Sequence, residues 1–259
     1  MFNYNQGQNG PFGRGRNTGM FGSSGYQYQQ MAGAYTGAQA GSLIGKVMLL
    51  LGFSFLFACI GSFIGFSIIG PSISAPSIGI LWLGALGGFI VLIILRFTIQ
   101  VPGLNLVLLY LFTLLEGLSL SPILRVYLAV GYGNILGEAF LITAVTSLGL
   151  AVYSWTTKRD FSRLADYLFF GLILLIVAGI LGFFFQGFFQ TPLVGLFISI
   201  FGIAIFSGYV LYYVQRAKYL ADTMPNAIGL TVSIFITVLN LFLFILQLLT
   251  ILQGGRNRR

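Results

Sequence analysis

The chain has 259 residues, of which 57% are hydrophobic and only 7% charged, with a mean hydropathy of +0.95. An average soluble domain carries about 25% charged residues, so this composition excludes a globular fold with a polar surface and makes the lipid bilayer the expected solvent. The net charge of +8 does not point to nucleic acid, because Lys and Arg sit mainly in short segments between apolar runs, the pattern that orients a membrane protein.

Residues 1–41 are rich in Gly, Gln, Asn and Tyr, with Arg14 and Arg16 and no acid. That composition cannot bury enough apolar surface to fold, so a disordered tail is expected, with a self-associating segment as the alternative. It lacks the basic-then-apolar order of a cleaved signal peptide and is expected to stay attached. Seven apolar segments follow, at 44–69, 77–97, 103–124, 134–155, 164–187, 191–214 and 227–252, and a basic tail closes the chain at 253–259. Each run reaches the roughly 20 residues that an α-helix needs to cross hydrocarbon. A barrel would instead show segments of about ten residues with alternating polarity. The expected fold class is therefore all-α, a polytopic membrane protein with seven transmembrane helices over residues 42–252.

Turn-forming stretches separate the segments: "GPSISAPS" after the first, "VPG" after the second, "TTKRDFS" after the fourth, "FQTP" after the fifth and "DTMPN" after the sixth. Ser162 or Asp160 is placed to cap the fifth helix, and Glu138 falls where a first turn of the fourth would favour an acid. Gly61 and Gly65 in the first segment, and Gly84 and Gly88 in the second, have the spacing that lets helix backbones approach. Cys59, the single cysteine, is expected to be a small buried apolar residue. Counting Lys and Arg by side puts nine with the amino terminus and four opposite, which predicts a cytoplasmic amino terminus. The basic residues Arg256, Arg258 and Arg259 are then discordant, unless the last segment is re-entrant. Short loops favour a bacterial inner membrane, with an endomembrane as the alternative.

The absence of histidine removes imidazole metal sites, Ser-His dyads and the usual near-neutral switch. No enzyme class fits: rhomboid-type proteolysis needs histidine, and aspartyl intramembrane proteolysis needs two acids in spans, whereas Asp160, Asp166 and Asp222 fall at loop edges. A retinal protein needs a lysine in the last helix, which has none. A secondary transporter stays open as an alternative, without a clear inverted repeat or pair of broken helices to support it, and no cofactor is implied.

An ionisable group at membrane depth costs about 2.5–3.5 kcal/mol even on the lenient insertion scale, so each needs a partner or a wet cavity. Glu116 lies deepest, flanked at helical spacing by Thr113 and Ser119. Arg96 is its candidate partner, in an ion pair between helices or in an ion or proton path. Ser233, Thr237, Asn240 and Gln247 share one face of the seventh helix. They either join helices by hydrogen bonds or line a pathway.

The order "EGLSLSPIL", "TTKRDFS", "IAIFSGYVLYYVQ" and "LNLFLFILQLL" resembles the Bax inhibitor-like (transmembrane Bax inhibitor motif) family over residues 42–252. The resemblance implies a compact bundle around a central seventh helix. It also implies a pH-sensitive calcium leak and, in eukaryotic members, suppression of cell death. The family pattern has an aspartate in the sixth helix hydrogen-bonded to one in the seventh, assisted by an arginine near the end of the second. Here the two acids are replaced by Tyr213 and Thr237, while Asn240 matches and Arg96 stands for the arginine with a longer loop after it. Neutral Tyr213 and Thr237 can still hydrogen-bond one another. The expected function is a calcium or cation leak without the aspartate-pair gate, with Tyr213, Thr237, Arg96, Glu116 and Asn240 as pathway or gate residues. The alternative is a non-conducting regulator that binds protein partners, through its tail or its packed faces.

Overall fold

The computed structural model describes residues 37–69, 75–185, 187 and 191–254. The expectations for the amino-terminal tail and for Arg256, Arg258 and Arg259 lie outside the described residues. Seven helices cover nearly all of what is described: α1 (Gly37–Ile69), α2 (Ala75–Thr98), α3 (Leu104–Ala129), α4 (Gly133–Thr156), α5 (Leu164–Phe184), α6 (Pro192–Arg216) and α7 (Met224–Gly254), with a 3-10 turn, Ala217–Tyr219, after α6. All seven are long and apolar enough to cross a membrane. The helix α1 begins inside the segment assigned to the tail, because "GAQA" continues the helical pattern upstream of the apolar run.

α3 also runs further than expected, through Pro122 to Ala129. Proline lacks the N–H that would bond to the carbonyl four residues earlier, which is that of Leu118. The Ser121 hydroxyl donates to that carbonyl at 2.7 Å instead, so the break is repaired from the adjacent position, as lipid requires of any polar backbone group.

Lipid gives helices no hydrophobic reason to associate, so close packing at small residues does that work. Both glycine pairs read from the sequence face α3. A Cβ at Gly61 would overlap the Leu114 carbonyl, one at Gly65 the Ser121 hydroxyl, and one at Gly84 would lie 2.6 Å from the Ser119 nitrogen. From the other side, a Cβ at Gly117 would overlap the carbonyl of Ala58 on α1. At this crossing Ser62 Oγ donates to the Gly117 carbonyl at 2.8 Å. Cys59 is exposed on the outer face of α1 rather than buried, because its neighbours Ala58 and Gly61 take the positions that meet α3.

α7 packs against α1, α3, α4 and α6, and so occupies the centre of the bundle, whereas α5 rests on α6. One buried cluster joins α1, α2, α3, α6 and α7 around Phe112 and Phe235, and a second joins α3 to α7 around Leu241 and Phe242. α7 starts beside the α6–α7 loop, where Lys46 Nζ of α1 meets Asp222 at 2.9 Å. It ends beside α3 and α4, where Tyr127 and Thr250 share a hydrogen bond of 2.9 Å and Gln253 Nε2 donates to Glu138 at 2.8 Å. The last segment therefore crosses the whole bundle, and the re-entrant alternative does not form. Glu138 lies beyond the first turn of α4 and serves this contact. Asp160 accepts from the Ser162 N–H at 2.9 Å in a loop turn, and α5 starts without a side-chain cap.

Gly117→Ala is expected to lower unfolding stability by about 1–3 kcal/mol through overpacking, measured by denaturation in detergent. Gly137→Ala, with nothing within 4 Å of the added Cβ, should stay within about 0.5 kcal/mol of the parent.

Candidate functional site

The end of the bundle where α1, α3, α5 and α7 begin and α2, α4 and α6 finish carries most of the cationic side chains among the described residues and is called the basic end below. From it a cavity of about 480 Å³ reaches inward between α2, α5, α6 and α7. It exists because α2 is committed to α3 and α5 to α6, so neither outer helix closes fully over α7. Four of the five residues singled out in the sequence line it together: Arg96 from α2, Tyr213 from α6, and Thr237 and Asn240 from α7. Tyr209 and Ser233 complete the polar lining, and Phe89, Ile93, Leu172 and Phe206 are among its apolar walls.

The expected bond between Tyr213 and Thr237 is not formed. Thr237 Oγ1 donates to the Ser233 carbonyl at 2.7 Å, while the Tyr213 phenol lies beside the Ser233 side chain in the cavity lining. On the same stripe Ser233 Oγ donates to the Gly229 carbonyl at 2.9 Å and Asn240 Nδ2 to the Ile236 carbonyl at 2.8 Å. A threonine hydroxyl is short and finds its own helix four residues back, a recurrent habit of Ser and Thr in helices. Tyr213 stacks on Tyr209 with centroids 5.6 Å apart and packs against both buried clusters. Tyr212 takes the Arg216 Nη1 hydrogen at 3.1 Å, with the guanidinium 5.9 Å from its ring. The three tyrosines thus divide into two that line the cavity and one at its basic edge.

Glu116 does not line the cavity. Its Oε1 is 3.1 Å from where a Cβ on Gly88 would lie, so it occupies the room that this glycine leaves between α2 and α3. No ion pair joins it to Arg96 among the described residues. Thr113 and Ser119, its stripe neighbours, donate to carbonyls on their own helix at 3.1 and 2.9 Å. Nor does any group of three His, Cys, Asp or Glu gather among the described residues to hold a metal ion.

Sequence reasoning missed Gln215. Its side chain is buried, receives the Phe161 N–H at 2.6 Å and donates to the Arg159 carbonyl, fastening the α4–α5 loop to the end of α6. Ser154 Oγ adds a bond to the Leu211 carbonyl at 2.6 Å, and Lys218 Nζ one to the Ser154 carbonyl at 2.8 Å. The available signal was an uncharged amide between an apolar run and Arg216, where an exposed cation would be ordinary.

Fold and cavity together define a polytopic helical membrane protein with a partly polar cavity among its helices, on the side of the basic end. The family model described as "Inhibitor of apoptosis-promoting Bax1" matches residues 41–254, and the chain belongs to that family. It is 37% identical over 147 residues to an uncharacterized protein of Campylobacter jejuni, covering 56% of this chain and 61% of the relative. It is 35% identical to an uncharacterized membrane protein of Vibrio cholerae, covering 56% and 63%. With Bax inhibitor 1 of Schizosaccharomyces pombe it shares 32% over 179 residues, 68% of this chain and 64% of that one. The chain thus spans about three fifths of the length of the first two relatives.

Asp222 carries a testable pH dependence at the basic end. Hydrogen bonds from Lys46, then Ser42, hold its carboxyl below the usual carboxylate range. A depressed folded-state pKa contributes stability that is full above the unfolded value, about 4, and is lost as pH falls through the folded one. Asp222→Asn should therefore cost up to about 1 kcal/mol at pH 7 and nothing at the acid extreme, read from thermal unfolding in detergent across pH 2–7.

Proposed function

We propose that the chain acts as a slow leak for calcium or another cation that lacks an acid-pair pH gate. The observation that supports this is the chemistry of the cavity: it reaches from the basic end past Tyr213 to Thr237 and Asn240, and no carboxylate lines it among the described residues. A phenol with an ordinary pKa near 10 and hydroxyls that do not titrate keep one charge state from pH 5 to 8. Phenol, hydroxyl and amide oxygens can replace part of a cation's hydration, but a divalent ion favours carboxylates. Selectivity for calcium over monovalent cations is accordingly weak.

Arg96 favours a second reading. A guanidinium keeps its charge throughout the accessible pH range and opposes cation entry from the basic end, as a non-conducting regulator acting through partners would allow. Relatives named for Bax inhibition or as lifeguard proteins are compatible with either reading, and neither involves enzymatic chemistry.

Cation flux from liposomes reconstituted with the full chain decides between them. A leak should exceed protein-free vesicles and change by less than about twofold between pH 6 and 8. A strong pH response that survives Glu116→Gln would overturn the ungated leak. Flux equal to that of empty vesicles, together with a protein captured by the full chain but not by one lacking residues 1–36, would favour the regulator.

A further inference from the structure

We propose that the cavity between α2 and α5 seats the phosphate-bearing headgroup of an anionic membrane lipid, with an acyl chain lying along its apolar walls. Three features lead there. Arg96 is the only formal charge in the lining among the described residues, and none of the five acids of the chain reaches it: Glu116 lies against Gly88, Glu138 holds Gln253, Asp222 holds Lys46, Asp160 closes a loop turn and Asp166 lies in the first turn of α5. A guanidinium offers five N–H donors in a fork suited to phosphate oxygens. Arg216 and Tyr212 stand beside Tyr213 at the same end, which adds positive potential at the mouth.

The second feature is the opening. Phe89 and Ile93 line the cavity and yet are 60% and 42% exposed on α2, and in a bilayer that exposure faces acyl chains. The slot can therefore be entered sideways from the leaflet. Basic pockets between transmembrane helices are established receptors for anionic headgroups.

The third is the mixed character of the lining. On α6 and α7 the polar groups of Tyr213, Ser233, Thr237 and Asn240 are interleaved with Val232 and Ile236, while α2 and α5 bring apolar side chains beside Arg96. Hydrogen-bonding groups interleaved with apolar ones suit an amphiphile better than a bare ion. At about 480 Å³ the space is within the usual range of ligand pockets, roughly 300–1,000 Å³. The inference does not depend on whether ions pass, since occupancy is measured without flux.

The test is native mass spectrometry of the full chain in detergent, titrated with dioleoylphosphatidylglycerol or dioleoylphosphatidylcholine. The anionic lipid should bind at least about fivefold more tightly, and Arg96→Gln should bring the two to parity. Arg125→Gln, at the opposite end of α3, should keep the preference. Ile93→Trp, which narrows the slot without altering charge, should lower occupancy by both lipids and serves as a second variant should Arg96→Gln fail to fold. Absence of any preference, equal losses in Arg96→Gln and Arg125→Gln, or unchanged binding in Ile93→Trp would overturn the proposal. So would displacement of the lipid by millimolar inorganic phosphate, which would assign the site to a soluble anion.

Discussion

Backbone-to-backbone approach at the glycines of α1, α2 and α3 is the constraint from which the remaining architecture follows. Apolar surface alone would leave these helices dispersed among acyl chains, since lipid solvates leucine as well as leucine does. Gly61 and Gly117 let α1 and α3 touch main chain to main chain, and Gly84 does the same for α2. Once α2 is bound to α3 it cannot also cover α7. The slot containing Arg96 and Tyr213 is therefore a by-product of where the smallest residues lie on other helices, and its polar wall is the face of α7 left without a helix to cover it.

Within that slot the chemistry is conservative. The Ser233 and Thr237 hydroxyls and the Asn240 amide all donate to carbonyls of α7 itself. These bonds hold the groups still while their lone pairs remain available to whatever occupies the space. With such residues in the lining, the electrostatics of the slot are set mainly by a guanidinium. The stack of Tyr209 on Tyr213, packed against both buried clusters, makes this wall part of the core, so that shape is as fixed as charge.

The number of spans, the glycine faces and the four residues from three helices that meet in the cavity were legible because each depends on periodicity, hydropathy or motif order along the chain. What was not legible depended on partners distant in sequence. The last turn of α3, beyond residue 124, could not be read from hydropathy, and neither could the Ser121 hydroxyl that supplies the donor Pro122 lacks. Glu138 looks like an ordinary helix-start acid until Gln253 arrives from the last helix. Glu116 and Arg96 are both unusual for a membrane interior, which invites pairing them, yet Gly88 gives the carboxylate a place of its own. Cys59 was misjudged because burial in lipid and burial in protein look alike in a hydropathy pattern.

The Gln215 amide has a mechanical meaning. By holding the backbone at Phe161 and Arg159 with its two ends, it couples the α4–α5 connection to the terminus of the helix that carries Tyr213. Any tilt of α6 that widened the slot would have to drag this connection along or break two bonds in a buried place. The loop then behaves as a brake on the wall, and something that grips the loop from the aqueous side would have leverage on a space buried within the membrane.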